Sequence, residues 1–166
     1  MTRRITTFFF AIAITLATIL SVTSCSFTIK TDETKYSYDK TEANATSNGK
    51  PVSVPEESLS TYEKTFKNSY ITLSSQEIKW TIENEGHTTT DNIKYERDGN
   101  KLTVGENHLK KAREQGLQST PSDMTLKNFE FYFIEEDDVI CVVYDITMNY
   151  VGVEYRTVVK IIYRKQ

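Results

Sequence analysis

The chain has 166 residues, with 20 lysines and arginines against 23 aspartates and glutamates, and a net charge of −3 at pH 7. This mildly acidic balance excludes nucleic acid as a partner, because binding to phosphates requires clustered lysine and arginine. The two cysteines exclude a metal site built from several thiolates, and the length suits one domain with a sizeable core.

The beginning of the chain has the parts of a secretory signal. Arg3 and Arg4 supply a positive start, residues 8–22 form an uncharged apolar run, and small residues precede Cys25. This order is typical of a cleaved signal peptide, and the run is shorter than the roughly 20 residues that a membrane-spanning helix needs. Because residues 5–29 carry no charge, an uncleaved anchor stays open as an alternative.

The four residues Val22-Thr23-Ser24-Cys25 resemble the lipid-attachment motif of bacterial lipoproteins. The resemblance implies that residues 1–24 are a signal peptide, cut between Ser24 and Cys25. It also implies a diacylglyceryl group on the Cys25 thiol, and often an acyl group on the new amine. The protein is then expected in the bacterial cell envelope, lipid-anchored outside the cytoplasm. The anchor lies in the outer leaflet of the cell membrane, or in the outer membrane if two membranes are present.

Residues 25–52 are polar and irregular, with few apolar side chains. A segment of this composition cannot bury enough surface to offset its chain entropy. The sequence therefore predicts a lipidated Cys25 and a flexible polar tether over residues 25–52, followed by a single domain over residues 53–166.

The domain is expected to begin with a helix. Ser53 and Glu56 fit a capping box, in which the two side chains satisfy free backbone donors. Apolar residues recur at spacings of three, four and four, which predicts one buried helical face made of Leu59, Tyr62, Phe66 and Tyr70. The alternative is an extended conformation of residues 62–66.

After the helix, apolar and polar residues alternate with a period of two, which is typical of half-buried strands. The first such strand holds Ile78, Trp80 and Ile82, and Glu85-Gly86 is suited to the next turn. Asp98-Gly99 is a strong hairpin signal. A two-residue turn at that pair predicts two facing pairs, Tyr95–Leu102 and Ile93–Val104.

A short helix is predicted over residues 106–115, with Leu109 and Ala112 on its inner face and Gly116 as its stop. Residues 117–127 are expected to be a polar connection.

The last forty residues predict a three-stranded antiparallel meander with turns at 135–138 and 149–152. Both turns bring the large apolar side chains to one face, and the opposite face mixes charged and apolar residues. The facing pairs expected on the apolar surface are Phe133–Ile140, Phe131–Val142, Phe129–Tyr144, Met148–Val153, Ile146–Tyr155, Val142–Val159 and Ile140–Ile161.

This order of elements resembles the cystatin-like and nuclear-transport-factor-like cone folds, which include the polyketide-cyclase-like proteins. The matching stretch is residues 104–109, where a helix follows Gly105, together with the strands at 129–163. The resemblance implies an α+β domain in which short helices pack on a curved antiparallel sheet that ends in the three-stranded meander. A small β-sandwich or barrel is the alternative.

Residues with reactive side chains are few. His87 and His108 are expected on the surface, although His108 could act as a base beside Glu106 or Asp145. The acidic turn at 135–138 is expected to be solvated, with calcium binding as the alternative. No zinc spacing, phosphate loop or serine–histidine–acid order occurs, so no catalytic residue, metal or cofactor is predicted.

The second face of the meander is the predicted binding surface. Asp145 and Arg156 are expected to form a cross-strand ion pair there, and Cys141 is expected to be a small filler rather than a nucleophile. Aromatic side chains favour interfaces. The residues assigned to this surface are Tyr132, Val143, Asp145, Tyr150 and Arg156.

The expected function is a membrane-anchored lipoprotein whose non-enzymatic domain binds or scaffolds an envelope component, a secreted protein or a small apolar ligand. One alternative is a small polyketide-cyclase-like enzyme in which Asp145 is a proton-transferring pocket acid. Another is an assembly or immunity lipoprotein that docks a secreted partner. The fold alone does not choose among these functions.

Overall fold

The computed structural model describes residues 33–118 and 123–166. Within these two ranges the chain forms nine strands and two helices. The predicted signal peptide, Cys25 and the first part of the predicted tether lie outside the described residues. In chain order the elements are β1 (Thr34–Ser47), β2 (Lys50–Val52), α1 (Glu56–Phe66), β3 (Tyr70–Leu73), β4 (Glu77–Asn84), β5 (His87–Asp98), β6 (Lys101–Val104), α2 (Glu106–Gln118), β7 (Met124–Glu136), β8 (Val139–Tyr150) and β9 (Val153–Lys165).

The strands form one antiparallel sheet that closes on itself. Neighbours pair in the order β1-β3-β4-β5-β6-β7-β8-β9, and β1 also pairs with β9, so these eight strands make a closed barrel. The sheet-rich body with two short helices agrees with the sequence prediction. Its closure corresponds to the barrel given as the alternative rather than to an open cone, because the long β1–β9 ladder removes the free edges of the sheet.

The two ends of the barrel differ. At one of them, called here the terminal end, lie the start of β1, the end of β9 and the connections β3–β4, β5–β6 and β7–β8. The other, called here the helical end, carries the β1–β2, β4–β5 and β8–β9 turns and both helices.

Each helix stands where the barrel wall lacks a strand. On one edge of β1, β3 pairs with residues Thr34–Ser37 and β2 pairs with Ala45–Ser47, while β9 occupies the opposite edge. α1 joins β2 to β3 and packs against β1 and β4 in the interval between them. In the same way β6 covers only Tyr132–Ile134 of β7, and α2 packs against β7.

Residues 34–52 form β1 and β2 and are not a tether, which corrects the prediction. The domain therefore begins at β1 and not at residue 53. β1 pairs with β9 from Tyr36 to Ser47. A bulge at Asp39 changes which alternate residues face inward. Before the bulge the inward-facing residues are Tyr36 and Tyr38, and after it they are small residues as far as Ala45. Backbone hydrogen bonds to neighbouring strands hold this polar segment, and composition does not reveal them.

Aromatic side chains fill the middle of the barrel. Phe66 of α1 stacks on Trp80 at 5.7 Å between ring centroids, Trp80 lies 6.3 Å from Phe131, and Phe131 stacks on Tyr144 at 4.9 Å. The Trp80 indole donates a hydrogen bond to the hydroxyl of Tyr163 at 2.8 Å. The predicted apolar face of the meander is confirmed, and its buried residues include Phe129, Phe133, Ile140, Val142, Ile146, Met148, Val159 and Ile161.

The predicted turn at Glu85-Gly86 is confirmed, and the other three predicted hairpin turns lie one residue later than expected. Gly99-Asn100 forms the β5–β6 turn, with φ of 59° at Gly99, and Val151-Gly152 forms the β8–β9 turn with φ of 50° and 78°. Pairing partners therefore shift by two residues, and a shift of two leaves every side chain on its predicted face. The observed pairs include Tyr95–Val104, Phe133–Val142, Phe131–Tyr144, Met148–Tyr155 and Val142–Ile161.

Both predicted helices form, with different ends. The residue at the α1 N-cap is Pro55 rather than Ser53, and no side chain caps the helix, so the predicted capping box is wrong. The carbonyl of Pro55 accepts from the backbone N–H of Ser58 at 3.0 Å instead. α2 continues to Gln118, past the glycine at 116 that was expected to stop it.

Candidate functional site

A concavity of about 480 Å³ lies between α1 and β1 at the gap in the barrel wall. It is called here the α1 groove. One wall is the helix, whose contributing residues recur at spacings of three, one and three and so share one face. The other wall is the bulged part of β1. The lining residues are Tyr38, Asp39, Lys40, Thr41, Glu56, Leu59, Ser60 and Glu63.

The β1 wall of the α1 groove has a fixed shape. The hydroxyls of Tyr38 and Thr41 lie 3.1 Å apart, and the Tyr38 ring meets Tyr163 edge-on at 6.1 Å. Burial raises the pKa of Tyr38, and the carboxylates of Glu63 and Asp39 add to the rise. The Tyr38 hydroxyl therefore stays protonated and can donate a hydrogen bond at neutral pH.

The α1 groove is acidic. Lys40 is paired with Glu42 at 2.7 Å, and Asp39 is paired with Arg164 at 3.0 Å. Among the described residues, none forms an ion pair with the two remaining carboxylates, Glu56 and Glu63. From the sequence, Glu56 was predicted only as part of a capping box, and Glu63 was not singled out. A partner that fits the α1 groove should therefore carry positive charge.

Asp91 is a buried acid that sequence reasoning did not single out. It lies on the inner face of β5, 3% exposed, and is the register partner of Trp80. Burial raises the pKa of the Asp91 carboxyl from 3.8 to about 7, while the nearby Lys111 ammonium of α2 acts in the opposite direction. The sequence held one signal for this burial. Asp91 is two residues from the apolar Ile93, and alternate residues of a strand share a face, so Asp91 could have been assigned to the inner face.

The hydroxyl of Tyr144 is also buried, and no described residue forms a hydrogen bond with it. Burial raises the pKa of Tyr144 well above its ordinary value, and the charge of Asp91 adds to that rise. With a pKa near 7 Asp91 could exchange a proton near neutral pH, but it is only 3% exposed and lies beside Trp80.

A second concavity, of about 360 Å³, lies at the terminal end. Arg97 pairs with Glu135 at 2.6 Å, and the hydroxyl of Tyr36 donates to the same carboxylate at 3.2 Å. Burial, followed by the charge of Glu135, raises the pKa of Tyr36 to about 12. The hydroxyl of Tyr95 donates to the Ser74 carbonyl at 2.7 Å. These polar groups form hydrogen bonds and an ion pair with one another, which is typical of contacts that close the end of a barrel and stabilise the fold.

The structure brings four of the five predicted surface residues together on the outer wall of β7, β8 and β9. Tyr132 and Val143 are register partners, but Val143 is fully buried and Asp145 is 7% exposed. Tyr150 belongs elsewhere, since it packs against the core at the helical end. Arg156 and half-buried Tyr132 remain accessible, so this face offers a partner far less surface than the sequence pattern suggested.

The predicted cross-strand pair between Asp145 and Arg156 is present. The guanidinium donates from Nε at 2.9 Å and from Nη2 at 2.5 Å, one bond to each carboxylate oxygen. The two residues are diagonal neighbours, because Thr147 is the register partner of Arg156. A carboxylate held in this way on the outer wall is not placed to be the pocket acid of an enzyme.

The remaining reactive residues lie apart. His87 lines a separate pocket of about 230 Å³ at the helical end with Thr89, and His108 is half-buried on α2. Burial, followed by the charge of Lys111, lowers the pKa of His108. Burial also raises the pKa of the Cys141 thiol, which keeps it in the less nucleophilic form. Within the described ranges, no three histidine, cysteine or acidic residues are grouped to hold a metal ion.

Comparisons with known proteins gave no match, whether to a family model, to a curated protein or to a solved structure. Neither of the described helices is long and apolar enough to cross a membrane.

Proposed function

We propose that this protein is a bacterial lipoprotein, anchored through lipid on Cys25 outside the cytoplasm, whose barrel binds a protein partner without catalysing a reaction. The partner is an envelope component or a secreted protein. The observation that carries the binding proposal is the row of stacked aromatic rings across the barrel, from Phe66 through Trp80 and Phe131 to Tyr144.

An eight-stranded barrel has an interior that either is filled by side chains or holds one small ligand. In this barrel the rings of α1, β4, β7 and β8 occupy the middle, which argues against a container for a small apolar ligand. Contacts with a partner then fall on the outside, and the α1 groove combines a concave shape, an apolar side chain in Leu59 and unpaired charge.

The alternative of a small polyketide-cyclase-like enzyme has less support. Its proposed acid, Asp145, lies on the outer wall and is paired with Arg156. Asp91 has the raised pKa that proton transfer needs, but it is only 3% exposed and lies beside Trp80 in the core. A substrate would have to displace core side chains to reach it.

Nine residue steps separate Cys25 from Thr34, where β1 begins. A fully extended chain of that length spans about 30 Å. A lipid on Cys25 would therefore keep the terminal end near the membrane and turn the helical end, with most of α1, towards other envelope components.

Two measurements test this proposal in the native bacterium. Metabolic labelling with palmitate should mark the wild-type protein and the control Cys141→Ser, and Cys25→Ser should lose the label. Crosslinking in intact cells, followed by purification from the membrane fraction, should recover one dominant protein with the wild type. Label that persists in Cys25→Ser would refute the anchor. Recovery of the barrel alone would refute the binding function.

A further inference from the structure

We propose that the α1 groove binds an extended, basic segment of the partner, which adds a short strand to the free edge of β1. This inference rests on the proposed function and specifies the chemistry of the partner.

β1 has a free backbone edge beside the α1 groove. β3 covers this edge as far as Ser37, and β2 covers it from Ala45. In the described chain no strand pairs with the interval 39–44 on this side. Neighbouring ladder groups are already used, since Tyr38 donates its backbone N–H to the Ser69 carbonyl at 3.2 Å. An interrupted edge between two paired stretches is a template for one added strand.

The pairing with β2 indicates which backbone groups are available. Thr46 pairs with Pro51, which has no N–H, so the ladder bonds of that pair of strands belong to Ala45 and Ser47. Because hydrogen-bonding residues alternate along a strand edge, Thr41 and Ala43 direct their N–H and C=O groups towards the α1 groove. An extended segment could therefore bond to the main chain of β1 at these two residues.

The charge of the α1 groove favours a basic segment. Glu56 and Glu63 are seven residues apart on α1, which corresponds to about 10 Å along the helix axis. An extended segment covers that distance in about three residues. Since Lys40 and Asp39 are already paired with other side chains, these two glutamates set the charge of the groove. Side chains at alternate positions of an extended segment share one face. Long lysine or arginine side chains at alternate positions would therefore reach both glutamates, and Leu59 would contact their aliphatic parts.

Charge also disfavours a second copy of this chain as the occupant. Two β1 edges paired with each other would bring together two grooves that carry the same unpaired carboxylates. A basic segment of another protein removes this repulsion, so the proposal commits to that occupant.

The test uses the full-length protein, purified in detergent, and a fluorescein-labelled hexapeptide of alternating lysine and valine. Fluorescence anisotropy should show saturable binding, and the matching glutamate–valine peptide should not bind. A lysine–valine peptide methylated on alternate backbone nitrogens keeps its charge but cannot complete a strand ladder. It should lose binding.

Variants locate the binding site. Ser60→Tyr fills the α1 groove and should abolish binding of the lysine–valine peptide, whereas Thr61→Tyr, on the adjacent exposed position of α1, should not change it. The double variant Glu56→Gln, Glu63→Gln should bind roughly tenfold more weakly, since two exposed charge pairs are removed. This variant keeps the helix and so does not depend on whether Ser60→Tyr folds.

The proposal is overturned if no peptide binds, if the methylated peptide binds as well as the unmethylated one, or if Ser60→Tyr folds and binds normally. A dimer in sedimentation that Ser60→Tyr dissociates would overturn it in favour of a second copy. If crosslinking in cells recovers the same partner with wild type and Ser60→Tyr, the groove inference fails while the binding function stands.

Discussion

The buried carboxyl of Asp91 should make the stability of the barrel depend on pH. Its pKa is about 7 in the folded protein against 3.8 as the ordinary value, so the folded state binds this proton more tightly than the unfolded chain. The contribution is largest while the folded protein keeps the proton. The free energy of unfolding therefore falls as the pH rises from about 4 through 7, and then becomes level.

The size of the effect follows from the two pKa values. Each unit of pKa difference between the folded and unfolded states corresponds to about 1.36 kcal/mol. Roughly two of these units are titrated between pH 5 and pH 8, because the unfolded chain has already lost its proton at pH 5 and the folded protein loses it near pH 7. The wild type should lose about 2–3 kcal/mol over this range relative to Asp91→Asn, which has the same shape and no titrating group. The pKa of about 7 already includes the opposing charge of Lys111, which offsets part of the cost of burial.

The assay is urea unfolding of the wild type and Asp91→Asn at pH 5, 6, 7 and 8, followed by the fluorescence of the single tryptophan. The difference between their free energies of unfolding should grow steadily in favour of Asp91→Asn as the pH rises. Asp98→Asn, at the exposed end of the same strand, is the matched control and should follow the wild type. Parallel curves for the wild type and Asp91→Asn would show that burial does not perturb this carboxyl.

Three further changes test the packing. Phe66→Ala should lower the free energy of unfolding by about 3–5 kcal/mol in chemical denaturation, because this fully buried ring joins α1 to the core; a loss below 1 kcal/mol would contradict a packed helix. Val151→Asn should raise it by about 1 kcal/mol, since Val151 holds φ of 50° at an exposed turn. A double-mutant cycle on Asp145→Ala and Arg156→Ala should give a coupling of about 1 kcal/mol that decreases in high salt.

Strand faces were predictable from the sequence and registers were not. Apolar residues at alternate positions fix which face of β7, β8 and β9 is buried, and this pattern is unchanged when a partner slides by two residues. Register depends on which two residues make the turn. Gly99 occupies the first central position of its turn, and Val151 adopts a conformation that β-branched residues disfavour, so composition alone placed both turns one residue too early.

The N-terminal strand could not be predicted because the signals that identify strands are weak there. Its alternation is broken by the bulge at Asp39, and its inner residues near the helical end are small because α1 covers that part of the wall. The α1 groove was missed for the same reason, since one of its walls is this strand. Asp91 was missed because residues 87–92 are all polar, so the alternation of apolar residues that marks the inner face of β5 is visible only from Ile93 onwards.

The place of β1 in the wall has a mechanical consequence. In a protein held by the proposed lipid on Cys25, a pull from a partner at the helical end runs along the axis of β1. The ladder to β9, which extends from Tyr36 to Ser47, is then loaded in shear. Its hydrogen bonds must break together rather than unzip one after another. Such a strand resists force through a slow rate of forced unfolding, whatever the equilibrium stability of the rest of the barrel.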